Sequence, residues 1–168
     1  MINTEIHIPD AEQPVAVSYS KAQGFIKLTK FRLSFLVVLS AVISYFTVAE
    51  AVSWQKLTAI ILGGFLVTAG ANGFNQVIEK ELDKLMARTC QRPLPLGILS
   101  PAEALIFCTL CSLVGVFILS FYTNMLSGLL GALSVVLYAG VYTPLKRVTP
   151  FSVFVGAFPG AIPTLIGD

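Results

Sequence analysis

Apolar residues fill five blocks, 33–52, 57–78, 104–122, 125–141 and 151–166, and the polar residues gather between them. The first four blocks approach the ~20 residues that a helix needs to cross a hydrocarbon core ~30 Å thick. The fifth is shorter and is interrupted by Pro159 and Pro163, which withdraw backbone donors and break a helix. The pattern predicts an all-α polytopic membrane protein with about five transmembrane segments, four complete and one broken. Ahead of them, residues 1–24 read as a polar tail, which leaves 25–168 as the transmembrane unit.

Composition strengthens this reading. Of 168 residues, 55% are hydrophobic and 12% charged, against about 25% charged in soluble domains. A net charge of +2 gives no hint of a nucleic-acid partner. Cys90, Cys108 and Cys111 are too few for a disulfide framework. The Cys108–Cys111 spacing lies inside an apolar run, so it reads as helix packing and not as a redox pair. His7, the single histidine, lies in the tail, so a histidine-based metal or haem-iron site is not expected. The tail carries Glu5, Asp10 and Glu12 and no arginine, unlike a mitochondrial transit peptide. A bacterial origin is the expectation.

The basic residues set an orientation. Lys21, Lys27, Lys30 and Arg32 precede the first block, Lys80, Lys84, Arg88 and Arg92 follow the second, and Lys146 and Arg147 follow the fourth. Those are ten of the eleven Lys and Arg, and only Lys56 falls on the opposite side. Because Lys and Arg in short loops are retained inside, the amino terminus and the 79–103 and 142–150 loops are expected to face the cytoplasm of a bacterial inner membrane. Small residues at i and i+4, such as Ala69/Gly73, Ser127/Gly131, Gly128/Ala132 and Gly156/Gly160, permit close helix contact in lipid.

The candidate chemistry is concentrated after residue 71. Asn75, Glu79 and Asp83 stand at i, i+4 and i+8, so they share one face if the helix continues past Ile78. Asn72 joins them one turn earlier. Carboxylates and amides are hard oxygen donors suited to Mg²⁺ with water and phosphate oxygens. Lys80, Lys84, Arg88 and Arg92 follow, and guanidinium forks pair with phosphate. A solvated loop with ordinary surface charges is the competing reading. Asn72 and Asn75, inside an apolar run where unpaired amides are costly, weigh against it.

These residues resemble a known family. The spacing of Asn75, Glu79 and Asp83 is similar to the first N-x-x-x-D-x-x-x-D motif of UbiA-type intramembrane prenyltransferases. Met86, Arg88, Thr89, Arg92, Pro93 and Leu94 resemble the M-x-R-T-x-x-R-P-L segment of the protohaem IX farnesyltransferase branch. Lys27 to Arg32 is similar to that branch's K-P-R element, and the resemblance continues from Tyr142 to Arg147 and from Gly156 to Pro163. It covers about residues 25 to 167. Glu79 stands where aspartate is commoner, and Phe31 where proline is usual.

The resemblance implies that Asn75, Glu79 and Asp83 hold a Mg²⁺–diphosphate, with Arg88 and Arg92 near the phosphates. Asn72, Lys30, Arg32, Lys84, Tyr142 and Lys146 are the further substrate-binding candidates. It also implies farnesyl transfer from farnesyl diphosphate to the vinyl group of protohaem IX, forming haem O, in contact with membrane lipid and with haem A synthase as a candidate partner. Members of the family have nine helices and a second aspartate-rich loop. The chain is therefore expected to be the amino-terminal part of such a bundle, inactive by itself. Two rivals are a prenyltransferase with a quinone or chlorophyll-type acceptor and a transporter module built on broken helices.

Overall fold

The structure, a computed structural model, describes residues 19–146 and 148. The fifth apolar block, with Pro159 and Pro163, most of the tail, and Arg147 lie outside the described residues. Within them the chain is helical: α1 (Lys21–Leu28), α2 (Phe31–Val48), α3 (Trp54–Leu85), α4 (Pro101–Tyr122), α5 (Met125–Val135), a π-helical stretch over Val136–Tyr142, and a last turn, α6 (Thr143–Leu145). Four helical stretches, Lys21–Val48, Trp54–Leu85, Pro101–Tyr122 and Met125–Leu145, are long and apolar enough to cross a membrane. The four expected spans are all present.

Local chemistry explains their ends. Ser20 and Gln23 form a reciprocal capping box that starts α1 earlier than the expected tail boundary, and Ser100 with Glu103 does the same for α4. Ser53 caps α3 and Asn124 caps α5. The first span ends at Val48, short of residue 52, because Ala49 is extended and Ser53 already caps the next helix.

Helix α3 is the centre of the bundle. More than half of its apolar window, 56%, is buried, against 22% for the first and third spans and 17% for the fourth. The other helices face outward with large apolar side chains, among them Leu36, Ile43 and Phe46 on α2 and Ile106, Leu113 and Phe117 on α4, as a lipid-facing surface requires. With 32 residues, α3 is about 48 Å long, some 18 Å more than the hydrocarbon core needs. Its excess length is accommodated by tilt or by projection beyond the apolar layer, and its charged residues from Glu79 onward mark the end that projects.

Glycines allow α4 to approach α3. A Cβ on Gly63 would meet Leu119, and one on Gly115 would lie 2.8 Å from both the Gly63 carbonyl oxygen and the Val67 nitrogen. Gly70 faces Ser112, and Gly73 faces Cys108. Cys108 and Cys111 are both free thiols, and Cys108 is fully buried in the packing. Of the expected small-residue pairs, Gly73, Gly128 and Gly131 sit at helix contacts, against Cys108, Ser120 and Leu119 respectively. Gly156 and Gly160 lie outside the described residues. Gly115→Ala is expected to lower stability by about 1–3 kcal/mol through overpacking against backbone, whereas Gly140→Ala, with nothing within 4 Å of the new methyl, should be neutral; denaturant unfolding in detergent micelles compares the two.

Candidate functional site

Five polar side chains on the second half of α3, Asn72, Asn75, Gln76, Glu79 and Asp83, are buried. They form two adjoining stripes. Asn75, Glu79 and Asp83 share one face, because α3 continues past Ile78 as the spacing requires. Asn72 and Gln76 lie on the neighbouring face, toward α1 and α2.

Three separate segments satisfy the first stripe. From α6, the Thr143 hydroxyl lies 2.9 Å from Asn75 Oδ1 and 2.7 Å from the Tyr138 carbonyl oxygen, and its single proton serves one of them at a time. Lys146 Nζ donates to Asn75 Oδ1 at 3.2 Å and to Glu79 Oε2 at 2.9 Å. From the loop after α3, Arg92 Nη1 donates to Asp83 Oδ2 at 2.6 Å, with side chains 24% and 5% exposed. Lys30, between α1 and α2, lies within electrostatic range of Glu79, Asp83, Arg92 and Lys146.

The π-helical stretch is what brings α6 into place. Its wider turn is closed by a bond from the Thr143 N–H to the Tyr138 carbonyl, and it re-registers the following residues so that Thr143 and Lys146 face α3. Single π turns inside α-helices recur at functional sites. The Tyr138 and Tyr142 rings stack at 5.5 Å, and the Lys146 ammonium lies 5.5 Å from the Tyr142 ring.

The loop that carries Arg92 is packed and hydrogen-bonded, unlike a solvated surface loop. Thr89, Pro93, Leu94 and Leu99 are buried. Leu94 and Leu99 join Leu28, Ala104 and Cys108 in one apolar cluster. The Thr89 hydroxyl donates to the Asp83 carbonyl at 3.0 Å, which satisfies an orphan acceptor at the end of α3. Gly97, at φ 72°, makes the turn that returns the chain to α4.

The second stripe holds the α1–α2 link. Gln76 Nε2 donates to the Leu28 carbonyl at 2.8 Å, and Asn72 Nδ2 donates to Ser34 Oγ at 3.3 Å, whose hydroxyl donates to the Thr29 carbonyl at 2.8 Å. Between these anchors Lys30 has φ 48° and ψ 57°, a left-handed conformation that costs a non-glycine residue about 1–2 kcal/mol.

The structure thus gathers Asn75, Glu79, Asp83, Arg92, Lys146 and Lys30, with Tyr142 at the edge. It does not gather the other candidates. Asn72 bridges to Ser34. Lys84 pairs on the surface with Glu81 at 2.8 Å. Arg32 and Arg88 are exposed, and neither forms an ion pair among the described residues. Thr89 and Thr143 belong to the stretches that carry the resemblance but had no role assigned from the sequence, and Gln76 had none either. Gln76 had a usable signal, an amide one turn after Asn72 in an apolar run.

Among the described residues no three His, Cys, Asp or Glu side chains come together as a metal cage. The oxygen donors of Asn75, Glu79 and Asp83 suit Mg²⁺ all the same, since that ion keeps several waters and takes one or two carboxylates plus phosphate oxygens. Arg92→Ala would leave Asp83 buried without its cation and is expected to cost about 3 kcal/mol. Adding Asp83→Asn should recover part of that loss, and thermal unfolding of the single and double variants reads the difference.

The sequence model of the UbiA prenyltransferase family matches residues 35–168. A relative from Cytophaga hutchinsonii, named protoheme IX farnesyltransferase, is 45% identical over 149 residues, 88% of this chain and 52% of its own. One of the same name from Christiangramia forsetii is 41% identical over 167 residues, 99% of this chain and 53% of its own. A mitochondrial protoheme IX farnesyltransferase from Arabidopsis thaliana is 40% identical over 148 residues, 87% of this chain and 34% of its own. The chain spans about half the length of the two bacterial relatives. No solved structure matches it. A family match over residues 35–168, most of the chain, together with the helical bundle and the polar end of α3, means that the chain belongs to the UbiA prenyltransferase family.

Proposed function

We propose that the cluster at the end of α3 binds the magnesium-bridged diphosphate of a prenyl donor, and that the whole protein transfers farnesyl from farnesyl diphosphate to a vinyl group of protohaem IX, forming haem O. One observation carries this reading. Among the described residues Arg92 and Lys146 are bonded to Asp83 and Glu79, and a third cation, Lys30, lies within electrostatic range of both carboxylates, so these five groups hold one positive charge in excess at the polar end of α3. An anion with its own counter-cation completes such a site. The names of the relatives supply the acceptor, protohaem, and family membership supplies the reaction type.

Each residue then has a task. Lys30, Arg92 and Lys146 neutralise the charge that grows on the diphosphate as the allylic carbon–oxygen bond breaks and its electron pair leaves with the phosphate oxygen, which is electrostatic stabilisation of the transition state. Arg92 and Lys146, now bonded to Asp83 and Glu79, would pair with the phosphate oxygens of a bound donor, and Asn75, Glu79 and Asp83 would hold Mg²⁺. Mg²⁺, when bound, supplies Lewis-acid polarisation of the phosphoryl oxygens. Thr143 keeps Asn75 oriented, and the apolar bundle keeps water from the electron-poor prenyl carbon.

In a full-length enzyme assayed for haem O formation from protohaem and farnesyl diphosphate with Mg²⁺, Asp83→Ala and Asn75→Ala should each lower turnover on the order of 10²-fold or more. Near-normal rates in both would refute the assignment. In the same assay residues 1–168 alone, with this one ligand cluster, are expected to give no turnover.

The basic residues also support a cytoplasmic position for this end of the bundle in a bacterial inner membrane, because Lys30, Arg92 and Lys146 converge there and Lys56 lies at the far end of the chain's second span. An impermeant maleimide applied to intact cells should miss Cys90 and label it after permeabilisation; labelling in intact cells would reverse the orientation.

A further inference from the structure

Lys30 is the only non-glycine residue with positive φ among the described residues. A glycine would adopt that conformation at no steric cost, yet a lysine stands there. The backbone on its amino-terminal side is held from α3. The Leu28 carbonyl, left without a partner by the end of α1, accepts from Gln76 Nε2 at 2.8 Å. The Thr29 carbonyl accepts from Ser34 Oγ, which accepts in turn from Asn72 Nδ2. Gln76 and Asn72 are 1% and 2% exposed and lie one turn apart, so a rigid, buried helix dictates the path of the link. The Lys30 side chain that emerges from it reaches the field of Glu79 and Asp83, beside two like charges, Arg92 and Lys146, that repel it. A strained backbone persists at one residue only where the surroundings over-determine it, and here those surroundings are the bonds from Gln76 and from the Asn72–Ser34 relay.

We infer that Gln76 is a positioning residue for Lys30: its buried amide, seconded by the Asn72–Ser34 relay, locks the left-handed link and aims the ammonium at the diphosphate, a role that rests on reading the cluster as a diphosphate site. Gln76 touches no substrate in this assignment and acts through the backbone at residue 28. Gln76→Leu keeps the volume and removes the donor, and Ser34→Ala removes the relay alone.

The test uses the protein in lipid nanodiscs, with two readouts. Calorimetry with inorganic diphosphate and Mg²⁺ should give a Kd raised about tenfold by Gln76→Leu, the size of one charge-assisted contact, and raised similarly by Lys30→Ala. The double variant should be no worse than either single, because both remove the same contact. Reductive methylation followed by mass spectrometry should find Lys30 modified several-fold faster in Gln76→Leu than in the wild type, with exposed Lys56 as the unchanged reference. A folded Gln76→Leu protein with wild-type Kd and wild-type Lys30 reactivity, or additive losses in the double variant, would overturn the inference and leave Gln76 a merely structural residue. If Gln76→Leu does not insert, Ser34→Ala takes its place, with smaller changes in the same directions expected and none being fatal to the idea. If the wild type itself fails to bind diphosphate, the site reading falls, while the methylation rates still decide whether Gln76 holds Lys30.

Discussion

A polar stripe on a helix that runs through an apolar bundle has to be satisfied by its neighbours, and this requirement on α3 arranges the segments around it. Asn72, Asn75, Gln76, Glu79 and Asp83 are all buried, and a buried polar group without a partner costs about 1–3 kcal/mol, more if it is charged. Their partners come from the α1–α2 link, the loop after α3, and the turn after the π-helical stretch. The link carries a strained lysine, the loop turns Leu94 and Leu99 inward, and α5 widens into a π-helix. Each irregularity ends in a bond to α3.

Close helix packing is what brings those segments within reach. Gly63, Gly70 and Gly73 on α3 and Gly115 on α4 leave no room for a Cβ, so α4 lies directly on the central helix. The loop between them must then fold back over the end of α3, and its apolar side chains bury against α1 and α4. In lipid there is no hydrophobic drive to press helices together, so van der Waals contact at small residues and polar bonds at helix ends carry the association. The Lys21–Glu103 pair at 2.7 Å and the Tyr19 hydroxyl donating to the Gln91 carbonyl at 3.1 Å tie α1 to the same end. Both are exposed and contribute little energy individually.

The electrostatics follow from this convergence. Arg92 and Lys146 are bonded to carboxylates while Lys30 lies within electrostatic range of all four groups, so among the described residues the charges of the cluster nearly balance. Such a balance limits the desolvation penalty of each charge.

The sequence by itself determined the class of the molecule and the central line of its buried polar stripe. Four apolar blocks of spanning length, ten basic residues at one end, and Asn75, Glu79 and Asp83 at helical spacing are one-dimensional signals, because a membrane imposes length and a helix imposes period. Which cations meet those carboxylates was decided only by the tertiary structure. Arg88 and Arg92 are equivalent by type and close in sequence, yet the turn bonds of the packed loop leave one exposed and place the other on Asp83. Lys84, one residue from Asp83, turns to Glu81, while Lys146, 67 residues from Glu79, reaches it. Gln76 and Thr143 acquire their roles in the same way, from partners 48 and 68 residues distant. Charge and periodicity can be read along a chain, but the pairing of a buried group is settled by whichever backbone the packing brings opposite to it.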